Sequence, residues 1–173
     1  MPKLFEKRGL FLGRFQPFHN GHLKVIQEIK SKVEELIIVI GSAQESHTQI
    51  NPFTDNEREE MIEQSLRALS MVNYQIVPID DINDDAHYVS HIEAQVPEFQ
   101  LVFAADNPQT DKLFREKRYA TWTCSRYLGI MSTRIRGMML KNDDAWKNLV
   151  PKATVDVIDE IDGIKRIQQI YKQ

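Results

Sequence analysis

The segment that most constrains the fold of this chain is the strongly β-branched run Leu36–Ile40, which ends at Gly41. A run of this kind is typical of a β-strand. The shorter apolar segment Gly9–Leu12 is bounded by turn residues and predicts a second, buried strand. Between the two strands, from His22 to about Lys32, apolar residues recur on one face of a helix. Strand, helix and strand within about 30 residues predict a βαβ unit and a parallel sheet.

The same alternation continues along the rest of the chain. Thr54 and Glu57 have the spacing of a capping box, so a helix is expected from there to about Leu69. Further strands are predicted at Tyr74–Pro78 and Leu101–Ala104, and further helices near Asp85–Ala94, from Ser132 to about Leu140, and in two stretches after Pro151 with Gly163 between them. These elements predict an α/β fold, a Rossmann-like doubly wound parallel sheet with C-terminal helices. In such a sheet, ligands bind at the carboxyl ends of the strands.

The length of 173 residues suits one compact domain, so we expect a single domain over 1–173 with a helical tail at about 151–173. No apolar stretch approaches the roughly 18 residues of a membrane span, and Met1–Arg8 lacks the apolar core of a secretion signal. The single cysteine, Cys124, cannot form an internal disulfide and is expected to be a buried apolar residue. We therefore expect a cytoplasmic protein with no membrane partner.

The formal net charge is −3, with 25 acidic and 22 basic residues. A general nucleic-acid binder would carry a basic excess, so we expect no nucleic-acid partner. An enzyme acting on a small phosphate compound remains possible, because such a site needs only a few well-placed donors.

The loop Gly13–His22 joins the first strand to the first helix. His19 and His22 lie on one side of the helical start, and Gly21 lets a ligand approach the backbone. The free N–H groups and the positive end of the helix dipole favour an anion there, so the loop predicts a cradle for a polyphosphate. Other readings remain open: a histidine cap, an ordinary surface Arg14, or a metal pair, although zinc needs at least one more ligand.

A second phosphate cradle is predicted more than 100 residues later, at Ser132–Arg136. Ser132 or Thr133 would cap a helix whose first N–H groups face an anion. Arg136 adds a permanent charge with the fork geometry that suits phosphate. A capped helix with surface arginines is the alternative.

Candidate residues for a second substrate follow the other strands. Gly41 and Ser42 keep the crevice after the second strand open, while His47 is either a ligand contact or a structural loop residue. Tyr88 can present an aromatic face to a planar heterocycle or belong to the core. Arg58 is either a contact to the ligand or part of an ion pair on the helix surface.

These motifs resemble a known family. The loop Gly-Arg-Phe-Gln-Pro-Phe-His-Asn-Gly-His resembles the histidine-any-glycine-histidine signature of the nucleotidyltransferase superfamily, and more narrowly the archaeal-type nicotinamide-nucleotide adenylyltransferases. Ser132–Arg136 resembles the second signature of that superfamily. The series Gly41–Arg58 is more similar to the archaeal type than to the pantetheine-phosphate enzymes. The resemblance runs from about Gly9 to Tyr171.

The resemblance implies direct in-line attack of the 5′-phosphate of nicotinamide mononucleotide on the α-phosphate of ATP, giving NAD and pyrophosphate. It implies that His19, His22, Arg14 and Arg136 are catalytic, that Mg²⁺ enters with ATP without a dedicated protein ligand, and that the chain forms a homo-oligomer, by resemblance a hexamer. The remaining assignments are Gly13, Phe15, Gln16, Gly21, Ser132 and Thr133 for ATP and its phosphates, and Gly41, Ser42, His47, Asp81, Tyr88 and Asn107 for the second substrate.

The chain departs from the family pattern at several positions. Some members have arginine where Ile50 stands, many have glycine at Asp106 and tryptophan at Tyr88, and Met131 replaces the first serine of the second signature. The alternatives are therefore the same chemistry on nicotinate mononucleotide or phosphopantetheine, a cytidylyl transfer, or a non-catalytic nucleotide sensor. A metal-binding module is the remaining alternative.

Overall fold

The two apolar runs near the start of the chain form neighbouring strands in the middle of a parallel sheet. In the computed structural model, which describes residues 6–104, 107–122 and 129–172, the sheet has five strands in the order β3-β2-β1-β4-β5. All neighbouring strands are parallel. The strands are β1 (Glu6–Gly13), β2 (Val33–Ile40), β3 (Tyr74–Pro78), β4 (Leu101–Ala104) and β5 (Ala120–Trp122).

Helices follow the strands and cover both faces of the sheet. They are α1 (Asn20–Lys30), α2 (Asp55–Ala68), α3 (Asp85–Glu93), α4 (Pro108–Glu116), α5 (Ser132–Leu140), α6 (Lys152–Glu160) and α7 (Gly163–Ile170), with a 3-10 helix over Asp144–Leu149. One buried cluster joins Phe11 of β1 to α1, α2 and α5–α7. The other joins Leu10 and Leu12 to α3 and α4. Successive side chains of β1 thus point to opposite faces of the sheet and pack into two different cores. The prediction of a doubly wound α/β fold is confirmed.

The strand order determines where a ligand can bind. β1 lies between β2 and β4, so the connections on its two sides run over opposite faces of the sheet and the loops at its carboxyl end diverge. The N–H of Gly41, just past β2, donates to the carbonyl of Gly13 at the end of β1 at 2.9 Å. This bond brings the loops that follow β1 and β2 side by side above the sheet.

Most predicted elements are present, with differences at their ends. α1 begins two residues earlier than predicted because His19 is its N-cap, and the predicted capping box of Thr54 and Glu57 is confirmed. The prediction that Ser132 or Thr133 caps α5 is wrong: the N-cap is Met131, which makes no side-chain cap hydrogen bond. α4, β5 and the 3-10 helix were not predicted from the sequence.

The C-terminal helices pack against the body of the fold. Arg166 of α7 forms a two-pronged ion pair with Glu57 of α2, at 2.6 and 2.8 Å, and Trp146 is buried in the larger core. The predicted pair of C-terminal helices is confirmed, with Gly163 as the first residue of α7. Cys124 and Asp106 lie outside the described residues. Within the described ranges, no helix is long and apolar enough to cross a membrane.

The capping box of α2 gives a direct test of the fold. We expect Thr54→Ala to lower the free energy of unfolding by about 1 kcal/mol, because the N–H of Glu57 loses its acceptor. Urea denaturation followed by circular dichroism measures the change. Ser90→Ala, at an exposed position inside α3, is the control and should stay within about 0.5 kcal/mol of the parent. Equal stability of the two variants would contradict the assigned cap.

Candidate active site

The two histidines of the first loop cap the start of α1 for each other. Nδ1 of His19 accepts a hydrogen bond from the backbone N–H of His22, and Nδ1 of His22 accepts one from the N–H of His19, both at 3.2 Å. Their rings stack with centroids 3.6 Å apart. Because a neutral imidazole carries one proton and Nδ1 is the acceptor in both rings, the proton of each lies on Nε2. Each histidine thus has one N–H donor that the cap does not use.

Burial keeps both rings neutral. It lowers the pKa of His19 from 6.5 to about 4. Burial also lowers the pKa of His22 well below its usual value, and the proximity of His19 adds to the effect. Phe15 and Phe18 pack against the His22 ring, with centroids 4.8 and 5.6 Å away. At neutral pH the pair therefore supplies two oriented hydrogen-bond donors rather than two cations.

Two arginines bring positive charge to the same loop. Arg136 of α5 is buried, and its Nη1 donates to the carbonyl of Gln16 at 2.9 Å. Its Nε is a buried donor with no acceptor among the described residues. Burial lowers the pKa of Arg136, and the nearby Arg14 lowers it further while Tyr171 opposes the change. Arg14 itself is exposed, so both charges remain available to an anion over this loop.

A cavity of ≈ 520 Å³ opens at the carboxyl ends of the central strands. This volume lies in the range of small-molecule sites. Of the predicted residues, seven line it: Gly13, Arg14, Gly41, Ser42, Asp81, Tyr88 and Asn107. His47 does not line it; its ring is exposed in the loop after β2 and bonds to the Ser46 hydroxyl at 2.9 Å.

Ser42 and Asp81 form one unit at the rim of this cavity. The carboxylate of Asp81 accepts from both the backbone N–H and the hydroxyl of Ser42. Ser42 has a positive φ of 49°, a conformation that a non-glycine residue adopts only when its surroundings hold it. Asp81 therefore fixes the end of β2, in addition to facing the cavity.

Tyr88 of α3 and Asn107 at the start of α4 both line the cavity. Tyr88 of α3 is half-buried, with its ring edge against Phe114 at a centroid distance of 6.4 Å. It thus belongs both to the smaller core and to the cavity wall, and burial raises the pKa of its hydroxyl. Asn107 is the N-cap of α4, so its side-chain oxygen accepts from the N–H groups of Gln109 and Thr110.

Two loop residues predicted to bind phosphate hold the loop together through their side chains. Both ends of the Gln16 amide bond to the backbone of Phe53, at 2.9 and 3.0 Å, so its side chain is not available to a phosphate. Phe15 is 1% exposed and belongs to the core. A Cβ at Gly13 would lie 2.7 Å from the Phe15 ring, which explains why the strand ends in glycine.

The residues at the two helix starts keep their predicted places. Gly21 is buried in the first turn of α1. Ser132 donates its hydroxyl proton to the carbonyl of Pro17 at 3.1 Å, which ties α5 to the first loop. Thr133 is exposed in the first turn of α5. The first loop and α5 therefore meet, as the two-cradle interpretation requires.

Of the two interpretations of Arg58, the helix-surface ion pair is wrong. It is fully buried instead of forming a helix-surface ion pair. Its guanidinium donates to backbone carbonyls of Arg14, Gly41, Ser42 and Thr54. No pattern in the sequence distinguishes it from an exposed helical arginine, because its acceptors are backbone atoms of distant loops.

The donor set favours anions over a resident metal ion. Within the described residues, no group of three or more histidine, cysteine, aspartate or glutamate side chains has the arrangement of a metal site. The residues that converge on the first loop are N–H donors and guanidinium groups, which bind phosphate oxygens.

The chain is similar to a known family and to named relatives over most of its length. The profile of the cytidylyltransferase-like family matches residues 10–138. The chain is 44% identical to the nicotinamide-nucleotide adenylyltransferase of Thermoplasma acidophilum over 171 residues, covering 95% of this chain and 92% of that protein. It is 45% identical to the protein of the same name from Methanococcus aeolicus over 168 residues, covering 94% of each chain.

A solved structure has the same fold. It is a bifunctional NMN adenylyltransferase/ADP ribose pyrophosphatase from Francisella tularensis, complexed with AMP and a manganese ion, with a TM-score of 0.77 and 19% identity. The match covers 95% of this chain and 52% of that one, so this chain spans about half the length of the bifunctional protein.

The neutral histidine pair predicts a specific pH dependence of stability. Between pH 6.5 and about 4 the unfolded chain takes up a proton at His19 that the folded chain does not, so the free energy of unfolding falls as the pH is lowered. His19→Asn keeps a cap acceptor and should reduce this dependence, measured by urea denaturation at pH 7 and pH 5. His91→Gln, at a partly exposed position of α3, should retain it. The same pH dependence in His19→Asn and the parent would contradict the buried neutral ring.

Proposed function

The chain belongs to the cytidylyltransferase-like family, and we propose that it is a nicotinamide-nucleotide adenylyltransferase, which joins ATP and nicotinamide mononucleotide to give NAD and pyrophosphate. The observation that carries this proposal is the junction of two groups of residues. The first is the donor set formed by His19, His22, Arg14 and Arg136. The second is the cavity that begins at Arg14 and extends to Tyr88.

The reaction needs alignment and charge stabilisation more than acid–base chemistry. An oxygen of the 5′-phosphate attacks the α-phosphorus of ATP, and the bond from this phosphorus to the oxygen bridging to the β-phosphorus breaks. Pyrophosphate leaves with the bonding electron pair. The attacking phosphate is already an anion near neutral pH, so no general base is required. What remains is to hold two mutually repelling anions in line and to stabilise the charge that moves to the leaving group.

The residues of the first loop suit this task. The Nε2–H groups of His19 and His22 are oriented by the cap and cost little reorganisation when they donate to phosphate oxygens. Arg136, whose buried Nε has no acceptor among the described residues, supplies a charged donor from α5. Arg14 lies at the border between the loop and the cavity, where it can contact phosphates of either substrate.

The cavity suits the acceptor nucleotide. Tyr88 offers a ring in the wall, and the side-chain amide of Asn107 offers a polar group at its rim. The choice of nicotinamide over nicotinate mononucleotide or phosphopantetheine is supported by the relatives at 44% and 45% identity, which carry the nicotinamide name over nearly the whole chain.

The proposal also covers the metal ion, the domain organisation, the assembly and the location of the enzyme. Mg²⁺ enters as the complex with ATP; the Francisella tularensis protein was complexed with AMP and a manganese ion. A single domain over 1–173 is supported by the two cores sharing one sheet. Assembly into a homo-oligomer, and a cytoplasmic location where ATP is abundant, complete the proposal.

An acceptor panel tests the function directly. With Mg²⁺ and ATP, we expect pyrophosphate release with nicotinamide mononucleotide and the appearance of NAD, measured by coupled assay and chromatography. Parallel reactions contain nicotinate mononucleotide, phosphopantetheine or no acceptor. Release with phosphopantetheine alone would overturn the substrate, and binding of ATP without release would favour a nucleotide sensor.

The role of the histidine pair is tested at His22. His22→Asn retains an acceptor for the N–H of His19 but lacks the Nε2–H donor, so we expect turnover to fall ~10²–10³-fold with the fold intact. His22→Ala should lose at least as much rate. His91→Ala on the surface of α3 is the control and should keep the parental rate. Parental turnover in folded His22→Asn would remove the histidines from the mechanism.

The place of the acceptor base is tested at Tyr88. Tyr88→Phe keeps the ring and should leave the KM for the mononucleotide within about threefold of the parent, whereas Tyr88→Leu should raise it ~10-fold through loss of stacking. The KM for ATP should change little in both variants. Equal effects on the two substrates would place the ring outside the acceptor subsite.

A further inference from the structure

The guanidinium of Arg58 lies under the rim of the active site. It is fully buried, and four of its N–H groups donate to backbone carbonyls at 2.8 to 3.1 Å. One acceptor, Thr54, belongs to its own helix. The other three are Arg14, just past β1, and Gly41 and Ser42, just past β2. All three residues line the cavity.

The charge of Arg58 is not neutralised by an ion pair. None of the ion pairs formed by the described residues includes it. Burial lowers its pKa to about 10, and the more distant carboxylates of Asp55 and Asp81 oppose the change. The group therefore stays protonated at neutral pH. A buried cation held only by neutral carbonyls is costly, so its retention calls for a physical reason.

The partial negative charge of backbone carbonyls at the carboxyl ends of parallel strands is a physical reason to keep a cation there. The carbonyls of Arg14, Gly41 and Ser42 are partial negative charges at the edge of a site that must hold two anions. Bonded to Arg58, these oxygens are directed toward a cation, whose charge offsets their partial negative charge. Ser42 is then held from two sides, with its carbonyl on Arg58 and its N–H and hydroxyl on Asp81.

We propose that Arg58 is a positioning residue for adenylyl transfer: its fork holds the backbone of Arg14 and Ser42 in their working positions, and its charge favours polyphosphate above them. This inference rests on the proposed function of the site. The two parts of this function, positioning of the backbone and supply of positive charge, can be tested separately with two substitutions. Arg58→Lys keeps the charge but cannot bridge the loops after β1 and β2, whereas Arg58→Met removes both.

The experiment measures kcat, KM, anion binding and thermal stability for both variants. We expect Arg58→Lys to lose ~10-fold or more in kcat with the KM for ATP changed less than about threefold, because displacement of the loops by a fraction of an ångström misaligns the reacting groups. The affinity for magnesium tripolyphosphate, measured by calorimetry, should stay near the parental value in Arg58→Lys. In Arg58→Met it should fall about tenfold, as for loss of one partly buried unit charge.

Arg8 offers matched controls at the opposite end of the sheet. It is partly buried, pairs with Glu35 at 2.5 Å and donates to the carbonyl of Glu98 at 3.4 Å. Arg8→Lys and Arg8→Met should lower the melting temperature without altering kcat or tripolyphosphate affinity. A purely structural function of Arg58 would give the same pattern in its own variants and would overturn the proposal, as would parental kcat in folded Arg58→Lys.

Two further measurements cover the cases in which a variant or the reaction fails. If neither Arg58 variant folds, nitrogen-15 NMR of the Arg58 Nε–H in the parent protein decides. A change in its chemical shift and slower exchange of its proton with water, on addition of magnesium tripolyphosphate, support the proposal. The absence of both changes overturns it. If the parent releases no pyrophosphate with any acceptor, the proposed function fails. The tripolyphosphate affinities of the two variants then decide separately whether the charge of Arg58 serves an anion site.

Discussion

The loop between β1 and α1 keeps its shape because side chains from later elements bind its backbone carbonyls. Arg58 of α2 donates to Arg14, and Arg136 and Ser132 of α5 donate to Gln16 and Pro17. The histidine pair follows this loop directly in sequence. Its orientation therefore depends on helices far along the chain, since the three bonds span 44, 115 and 120 residues. The site is therefore a property of the assembled fold and not of the motif alone.

The same burial that stabilises this loop sets the chemistry of its donors. His19 and His22 lose proton affinity because water is excluded, and the reciprocal cap directs the remaining proton of each ring to Nε2. Permanent charge is left to the arginines, whose pKa stays high even when lowered by burial. The site thus divides its work between neutral oriented donors and charged groups, which suits a reaction in which charge is redistributed among phosphates.

The sequence predicts the parts of this structure that depend on local pattern. β2 and β3 are recognisable from short runs with β-branched residues, and α2 from its capping box, because each of these signals is contained within its own segment. α4 escaped prediction because it is short and polar, and β5 because three residues carry no period. Arg58 escaped for a different reason: the carbonyls that it binds are brought together only by the parallel pairing of β1 and β2. The resemblance of motifs located the site, whereas its internal support had to be seen in three dimensions.

The start of α5 shows how a departure from the family pattern fits the physics of the site. The side chain of Met131 makes no cap hydrogen bond, in contrast with the N-caps of α1, α2, α3 and α4, and a missing cap costs about 1 kcal/mol. Nε of Arg136, one turn further on, is a buried donor without an acceptor within the described part of the chain. Unsatisfied donors of this kind persist in a fold when a ligand satisfies them. A polyphosphate bound between the first loop and α5 would offer an acceptor to the Nε of Arg136 and anionic oxygens to the first turn of α5.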